Sequence, residues 1–272
     1  MASKARVATP RRTRYPDRSS LFVGSVGKAF MVLEAFRDTH RVMSLAEIAR
    51  AAELDRSATQ RLVYTLEQIG YIRRLPDSPL YGLASRVLRL SHNYLRSREL
   101  IERATPYLLD IAYTLGETSN LQELDGHEIV FLARFPGRHV LNLDFAVGSR
   151  LPAVYTASGR AILSKLDVEQ RLDILRATPL KPMTPKTETD PKVLLKRIDE
   201  AAKQGYAVVQ NQVVMGDISV AAAITDHRGQ PFGAVIISVP STRWTVDEAR
   251  ERLVPHVQLA ATALSQTKVA LP

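Results

Sequence analysis

The sequence predicts an α+β fold in two domains, a small helical N-terminal domain followed by a larger domain of antiparallel sheet and helices. Two short amphipathic helices with clear start and stop signals occupy residues 44–70. Beyond residue 117, strand-like runs rich in β-branched residues are separated by Gly and Pro turns. A chain of 272 residues is also too long for one small helical domain.

The charge of the chain is divided unevenly between its two parts. Residues 1–98 contain 18 Lys and Arg against 8 Asp and Glu, whereas residues 99–272 contain 19 against 20. Such a division is typical of a nucleic-acid-binding module joined to a neutral domain. Residues 1–21 are basic and poor in apolar side chains, so we expect a flexible arm, which would serve either as a DNA contact or as a solubilising tail.

Residues 44–70 predict two helices joined by a tight turn. Ser44 and Glu47 have the spacing of a capping box at the start of the first helix. Asp55 caps the second helix, and Gly70 ends it. The apolar stripe of the second helix is predicted to consist of Ala58, Leu62, Leu66 and Ile69.

The other face of the second helix carries polar side chains that are long enough to read base edges or to bind phosphate. The candidate DNA contacts on this helix are Arg56, Ser57, Thr59, Gln60, Arg61 and Tyr64. Residues 71–83 predict a β-hairpin, or wing, in which Arg73 and Arg74 would bind phosphate. An amphipathic stripe before residue 37 predicts the third helix. If the second helix is considered alone, it could instead be an ordinary surface helix with a solvated polar face that does not bind DNA.

The remaining residues alternate between helix and strand patterns. A partly apolar, partly basic helix is predicted over residues 84–98, and a second domain begins at residue 99. Its predicted strands are 118–124, 128–135, 140–147, 206–213, 219–225 and 233–239. Its predicted helices after the first are 157–165, 168–175, 192–204 and 246–266.

Several segments together resemble the IclR family of bacterial transcription regulators. They are SLAEIARAAEL, LEQIGYI, VGSRLPAVYTASGRAI (147–162), TPKTETDP (184–191) and Gly205 with Tyr206. The resemblance covers roughly residues 22–267. It implies a winged helix-turn-helix domain over residues 22–83, a linker helix over 84–98 and an effector-binding domain of the GAF or PAS type over 99–272. It also implies a homodimer or tetramer that binds a double-stranded DNA operator and a small organic acid.

The resemblance places the effector between the sheet and the helix that follows the RLP segment. The candidate effector contacts are Thr156, Ala157, Ser158, Gly159, Asn211, Gln212, Ser219 and Ser238. Free N–H groups at the start of this helix would bind a carboxylate. The alternative is that Ser158 and Gly159 only cap the helix and permit close packing.

The predicted pocket departs from the pattern of the family at several positions. Neutral side chains, Val209 to Gln212, stand where carboxylates are common, and Ser219 replaces a cysteine. These departures predict a pocket of neutral amides and hydroxyls that is less acidic than usual. Such a pocket leaves room for a larger ligand, such as an aromatic carboxylate.

The sequence does not indicate an enzyme. The histidines have no paired metal spacing, and neither a Gly-x-Ser-x-Gly elbow nor a complete phosphate loop occurs. We therefore expect no catalytic residues, no cofactor and no metal. The chain has no cysteine, no membrane-length apolar run and no signal-peptide pattern, so we expect a cytoplasmic protein.

A second class of function remains open at this point. The winged helix could serve protein assembly in a small-molecule-sensing protein that does not read DNA. The basic face of the second helix favours DNA binding, because an assembly module would not need it.

Overall fold

The computed structural model describes residues 19–37, 40–138 and 145–265. The chain forms two compact units, with the division between Tyr94 and Leu95. Residues 1–18 of the predicted basic arm lie outside the described residues.

The N-terminal unit packs three helices against a small antiparallel sheet. The helices are α1 (Gly24–Glu34), α2 (Leu45–Ala51) and α3 (Arg56–Gln68). The strands are β1 (Val42–Ser44), β2 (Ile72–Arg74) and β3 (Leu80–Leu83), in the order β1-β3-β2. Buried Val32, Met43, Ile48, Val63 and Ile72 join the helices and the sheet in one core. The predicted helices and wing are therefore present.

Local hydrogen bonds fix the starts of α2 and α3. Ser44 Oγ accepts the Glu47 N–H at 3.4 Å, and Glu47 Oε2 accepts the Ser44 N–H at 2.8 Å. Asp55 Oδ1 accepts the Ala58 N–H at 2.8 Å. Between the two helices, Glu53 has a φ of 56°, a left-handed conformation that makes the turn tight. The predicted capping box and the predicted Asp55 cap are confirmed.

Replacing Ser44 by Ala should destabilise the N-terminal unit by about 1 kcal/mol, because the Glu47 N–H loses its acceptor. Thermal unfolding followed by circular dichroism would measure this change. Ser91→Ala is the matched control, since Ser91 is exposed within a helix. Equal melting of the two variants would contradict a stabilising role for the capping box.

The buried face of α3 shares Leu66 with the predicted stripe, but elsewhere it lies one position away from that stripe. Thr59, Val63 and Leu66 are buried, whereas Ile69 is 46% exposed. Leu62 and Ile69 line an apolar groove of about 710 Å³ that α3 shares with α1. The sequence alone does not distinguish these positions, because an apolar side chain that lines a surface groove has the same sequence pattern as one in a core.

The C-terminal unit is a six-stranded antiparallel sheet with helices on both faces. The helix α4 (Val87–Arg96) crosses the division, and α5 (Glu99–Leu115) opens the unit. The strands are β4 (Thr118–Asp125), β5 (Glu128–Phe135), β6 (Arg150–Pro152), β7 (Ala207–Gln210), β8 (Asp217–Thr225) and β9 (Pro231–Pro240). Their order is β6-β5-β4-β9-β8-β7, with antiparallel neighbours throughout. The later helices are α6 (Ala157–Leu163), α7 (Val168–Ala177), α8 (Pro191–Gln204) and α9 (Val246–Ser265).

Alternation along the strands divides the sheet into two different faces. On β8, Val220 and Ala222 belong to the main core with α5 and α9. Ala221, one position away, packs with α6 in a separate cluster. Because neighbouring side chains on a strand point to opposite faces, Ser219 also lies on the α6 face. The predicted effector site is therefore on the face that α6 covers.

One predicted strand falls largely on residues that the structure does not describe. Residues 140–144 of the predicted strand at 140–147 lie outside the described residues, and residues 145–147 are not in a strand. The edge strand is β6, after a turn in which Gly148 has a φ of 90°. The Gly148 N–H donates to the Phe131 carbonyl at 2.8 Å, which brings β6 alongside β5. Within the described ranges, every helix is too short or too polar to cross a membrane.

Candidate DNA-binding helix and effector pocket

Helix α3 presents a continuous polar face to solvent. At about 100° per residue, Arg56, Ser57, Gln60, Arg61 and Tyr64 fall within an arc of about 140°. All five are exposed, and Tyr64 is 63% exposed. These side chains together have the donors and acceptors that a helix needs in a major groove.

Thr59 does not belong to this exposed face. Its side chain is fully buried, and its hydroxyl donates to the Asp55 carbonyl at 2.8 Å. The structure therefore contradicts the prediction that Thr59 contacts DNA. Thr59 is polar like its neighbours, but its position on the helix places it beside Val63 and Leu66 on the core side.

The wing, which consists of β2, β3 and the turn between them, exposes two arginines. Arg73 and Arg74 are both exposed on β2. Arg74 Nε donates to the Ser78 carbonyl at 3.1 Å, so Arg74 also holds the turn of the wing. Phosphate contacts by the two arginines remain a prediction.

A small pocket lies between the sheet and α6 in the C-terminal unit. Four predicted effector contacts line it, namely Thr156, Ala157, Ser219 and Ser238. The other lining residues are Gln122, Phe131, Arg134, Phe145, Leu151, Tyr155, Val209, Val213, Val214, Asp217 and Ile236. The pocket volume is about 40 Å³, which is room for a few water molecules. The structure thus places half of the predicted effector contacts around one cavity.

The pocket contains charged groups that the sequence analysis missed. Arg134, on β5, donates from Nη1 to the Asn120 side-chain oxygen at 3.1 Å. Asp217, at the start of β8, accepts the Ser219 hydroxyl at 2.7 Å, and Ser219 Oγ lies 2.9 Å from Ser238 Oγ. The pocket therefore contains one cation and one carboxyl group in addition to the neutral hydroxyls that the sequence predicted.

Burial shapes the electrostatics of this pocket. Burial raises the pKa of Asp217 to about 6, although the Ser219 hydrogen bond and the Arg134 charge both act to lower it. Burial also lowers the pKa of Arg134 and raises the pKa of Tyr155. Among the described residues, the Tyr155 hydroxyl and Asp217 Oδ1 have no hydrogen-bond partner although both atoms are buried. Such atoms are costly unless a further molecule satisfies them.

Ser158 and Gly159 stand behind the pocket rather than in its wall. The Ser158 hydroxyl donates to the Gln122 side-chain oxygen, so Ser158 positions a residue that does line the pocket. A Cβ added at Gly159 would lie 2.0 Å from the Ala153 carbonyl oxygen. Gly159 is therefore explained by close packing against Ala153, which was the alternative to effector contact. Direct contact of Ser158 and Gly159 with the effector is not supported.

Asn211 and Gln212 point into loop contacts instead of into the pocket. Asn211 has a φ of 58°, and its Oδ1 accepts the Gly216 N–H at 2.7 Å. Gln212 Oε1 accepts the Glu188 N–H at 2.8 Å, and its Nε2 donates to the Lys186 carbonyl at 2.7 Å. In this conformation both side chains hold loops together and neither lines the pocket, so effector binding by these amides stays a prediction.

Comparison with known proteins identifies the family. The model for the C-terminal domain of the bacterial transcriptional regulator IclR matches residues 92–266. The model for the IclR helix-turn-helix domain matches residues 25–76. The chain belongs to the IclR family of bacterial transcriptional regulators. It is therefore a DNA-binding regulator with an effector-binding domain, and not an enzyme.

Individual relatives of this IclR-family chain agree with that assignment. The Pca regulon regulatory protein of Pseudomonas putida is 34% identical over 242 residues, which are 89% of this chain and 82% of the relative. A transcriptional regulator from Rhodococcus sp. RHA1, known from its crystal structure, is 30% identical with a TM-score of 0.75, covering 90% of this chain and 98% of the other.

A further similar structure is that of a single inducer-binding domain. It is the inducer-binding domain of PobR from Acinetobacter, a double mutant in complex with 3-hydroxybenzoic acid. This domain is 25% identical to the IclR-family chain with a TM-score of 0.55, covering 59% of this chain and 94% of its own.

Proposed function

We propose that this regulator binds its operator as a homodimer or tetramer in the cytoplasm, and that a small aromatic carboxylate in the pocket controls operator binding. The observation that carries this proposal is the combination of groups in the effector pocket. Apolar walls enclose the Arg134 cation together with the buried, unpartnered polar atoms of Tyr155 and Asp217.

Each part of an aromatic carboxylate has a complementary group in this pocket. The guanidinium of Arg134 offers charge-assisted hydrogen bonds to a carboxylate. Phe131 and Phe145, whose ring centroids are 5.4 Å apart, supply apolar surface for the aromatic ring. The free hydroxyl of Tyr155 is available to a ring substituent. In support, the related PobR domain is bound to a hydroxybenzoic acid in its crystal structure.

The size of the pocket provides the means of control. A volume of about 40 Å³ is too small for an aromatic acid, so the bound conformation must be more open. A ligand that binds only the open conformation shifts the population towards it. Operator binding changes when the two conformations differ in their affinity for DNA, and DNA then alters effector affinity by the same factor.

On the DNA side, the proposal assigns groove contacts to the exposed face of α3. The assigned residues are Arg56, Ser57, Gln60, Arg61 and Tyr64. Arg73 and Arg74 in the wing would bind phosphate. The residues of α2 support α3 and do not read bases themselves.

Exposed apolar surface supports self-association of the N-terminal unit. The groove between α1 and α3 includes Val26, Phe30 and Ile69, each about half exposed. Leu88 and Leu90 on α4 are 64% and 51% exposed. Contiguous apolar surface of this kind marks an interaction site. A dimer would also place two copies of α3 on two half-sites.

Fluorescence anisotropy with DNA from upstream of the regulator's own gene would test the proposal. We expect the protein to bind this DNA about a thousand times more tightly than a scrambled duplex at physiological salt. Adding 3-hydroxybenzoate should change operator affinity, whereas benzyl alcohol, which lacks the carboxylate, should not. If no aromatic acid changes the affinity for the operator, the effector assignment is refuted but the DNA-binding assignment is not.

Replacing Arg61 by Ala should weaken operator binding by about 1 to 3 kcal/mol if Arg61 contacts a base edge. The same titration on scrambled DNA distinguishes the two possible roles of Arg61. Equal weakening on both duplexes would show a phosphate contact only. Arg176→Ala is the matched control, because Arg176 is an exposed arginine of the C-terminal unit paired with Asp173.

A further inference from the structure

A second cavity lies beside the effector pocket in the C-terminal unit. Its volume is about 260 Å³, and Val209 lines both cavities. The lining of this second cavity is polar, unlike that of the effector pocket. Its charged and amide residues include Arg160, Arg197, Arg250, Glu200, Gln210 and Gln212. We call it the arginine cavity.

Arg160 is a buried cation with an unused hydrogen-bond donor. It lies on α6 and is only 5% exposed. Its Nε donates to the Val154 carbonyl at 2.8 Å, whereas its Nη2 is buried without a partner among the described residues. Burial lowers the pKa of Arg160 to about 10, which leaves the guanidinium charged at neutral pH. An unpaired N–H on a buried charge is costly, so a ligand that accepts from it gains free energy.

The other arginines of the cavity are held only by exposed ion pairs. Arg197 pairs with Glu200 at 2.9 Å, and Arg250 pairs with Asp247 at 2.7 Å. Both pairs are between residues three apart on one helix and contribute little to stability. Their guanidinium groups can therefore turn to a bound anion at small cost. Because Glu200 balances Arg197 and Asp247 balances Arg250, the positive charge of the cavity comes from Arg160, for which the described residues show no ion pair.

We propose that the arginine cavity is a second ligand site, which binds a small anion with more than one carboxylate or phosphate group. Arg160 Nη2 donates to one oxyanion group at the buried end. Arg197 and Arg250 bind further oxyanion groups nearer the solvent, and the Gln210 amide remains available for a hydroxyl group. A polyanion is favoured over a monocarboxylate because it can bind Arg160 and also take the place of Glu200 and Asp247 as the partner of Arg197 and Arg250.

This site is distinct from the effector pocket in both chemistry and position. The effector pocket is apolar with a single arginine, Arg134, and suits an aromatic ring. The arginine cavity has no aromatic residue in its lining within the described chain. The second site therefore does not depend on the aromatic carboxylate proposed above.

Isothermal titration calorimetry of the full-length protein tests the second site. Citrate represents a polycarboxylate and inorganic phosphate represents a phosphate group, each titrated at an ionic strength held constant with sodium chloride. We expect one citrate to bind per chain. The loss of one charge-assisted hydrogen-bond donor should weaken citrate binding at least about tenfold in R160Q and about threefold or more in R197Q and R250Q. Tighter binding of phosphate than of citrate would identify a phosphate ester as the preferred class of ligand.

Two controls separate this site from charge in general and from the effector pocket. R176Q removes an exposed arginine outside the cavity and should bind citrate as the wild type does. R134Q should also leave citrate binding unchanged. If citrate binding is lost in R134Q but kept in R160Q, the anion occupies the effector pocket and the proposal is wrong.

The surface variants keep the test decisive if R160Q does not fold. Arg197 and Arg250 are about half exposed, so the double variant R197Q/R250Q should fold normally. The proposal is overturned if this double variant binds citrate as tightly as the wild type. It is equally overturned if the wild type binds neither citrate nor phosphate at about 10 mM, a concentration that detects even very weak sites.

Discussion

Replacing Arg134 by Gln should weaken binding of 3-hydroxybenzoate by about 30- to 1000-fold, or about 2 to 4 kcal/mol. The guanidinium is the one cationic group in the described lining of the effector pocket. Without it, the ligand carboxylate would enter an apolar cavity beside Asp217 with no charged partner. Calorimetric titration of the purified variant measures the change directly.

The amide of Gln at position 134 can still donate to the Asn120 side-chain oxygen, so the variant should keep its fold. Its operator binding in the absence of ligand should match that of the wild type, which provides the internal control. Arg134→Lys retains the charge but loses the planar pair of donors, and an intermediate affinity is expected. Undiminished 3-hydroxybenzoate binding in the Gln variant would place the carboxylate elsewhere.

The parts of the fold that the sequence predicted well depend on neighbouring residues. The Ser44 and Glu47 capping box, the Asp55 cap and the exposed face of α3 all involve residues within one or two turns of helix. Their geometry follows from the helical period and from local hydrogen bonds. Thr59 shows the limit of this reasoning, because its polarity resembled that of its neighbours while its angular position directed it into the core.

The effector pocket could be only partly predicted because its polar groups come from distant strands. Gln122, Arg134 and Asp217 lie on β4, β5 and β8, and the sheet order brings them together. Each is a polar residue within a largely apolar strand, which is the sequence signal that could have found them. That signal does not say which face of the sheet a residue occupies until the strand register is known.

Asn211 and Gln212 show why a matching family position does not guarantee a contact. Both amides stand directly after β7, at positions where the family resemblance implied contact with the effector. Here the left-handed conformation at Asn211 and the hydrogen bonds of Gln212 to residues 186 and 188 direct the side chains into the adjoining loop. Arg134 and Asp217 are the charged residues in the described lining of the pocket, and they set its charge.

Binding of 3-hydroxybenzoate should become about fifty-fold weaker between pH 6 and pH 8, because Asp217 ionises in this range. Burial raises the pKa of Asp217 to about 6, so half of the carboxyl groups are neutral at pH 6 and about one in a hundred at pH 8. The ionised form repels the ligand carboxylate and competes for Arg134. The ligand carboxylate is ionised throughout this range, and the high pKa of Tyr155 keeps its hydroxyl neutral.

Asp217→Asn should remove this pH dependence, because Asn remains neutral and similar in shape. Its affinity for 3-hydroxybenzoate at pH 8 should approach that of the wild type below pH 6.

The same raised pKa of Asp217 also affects folding: the stabilisation from the neutral carboxyl is fully present below pH 4 and is lost as the pH rises through about 6. The Asn variant should therefore also lose this component of the pH dependence of its melting temperature. A wild-type affinity that stays constant from pH 6 to pH 8 would show that Asp217 does not face the bound carboxylate.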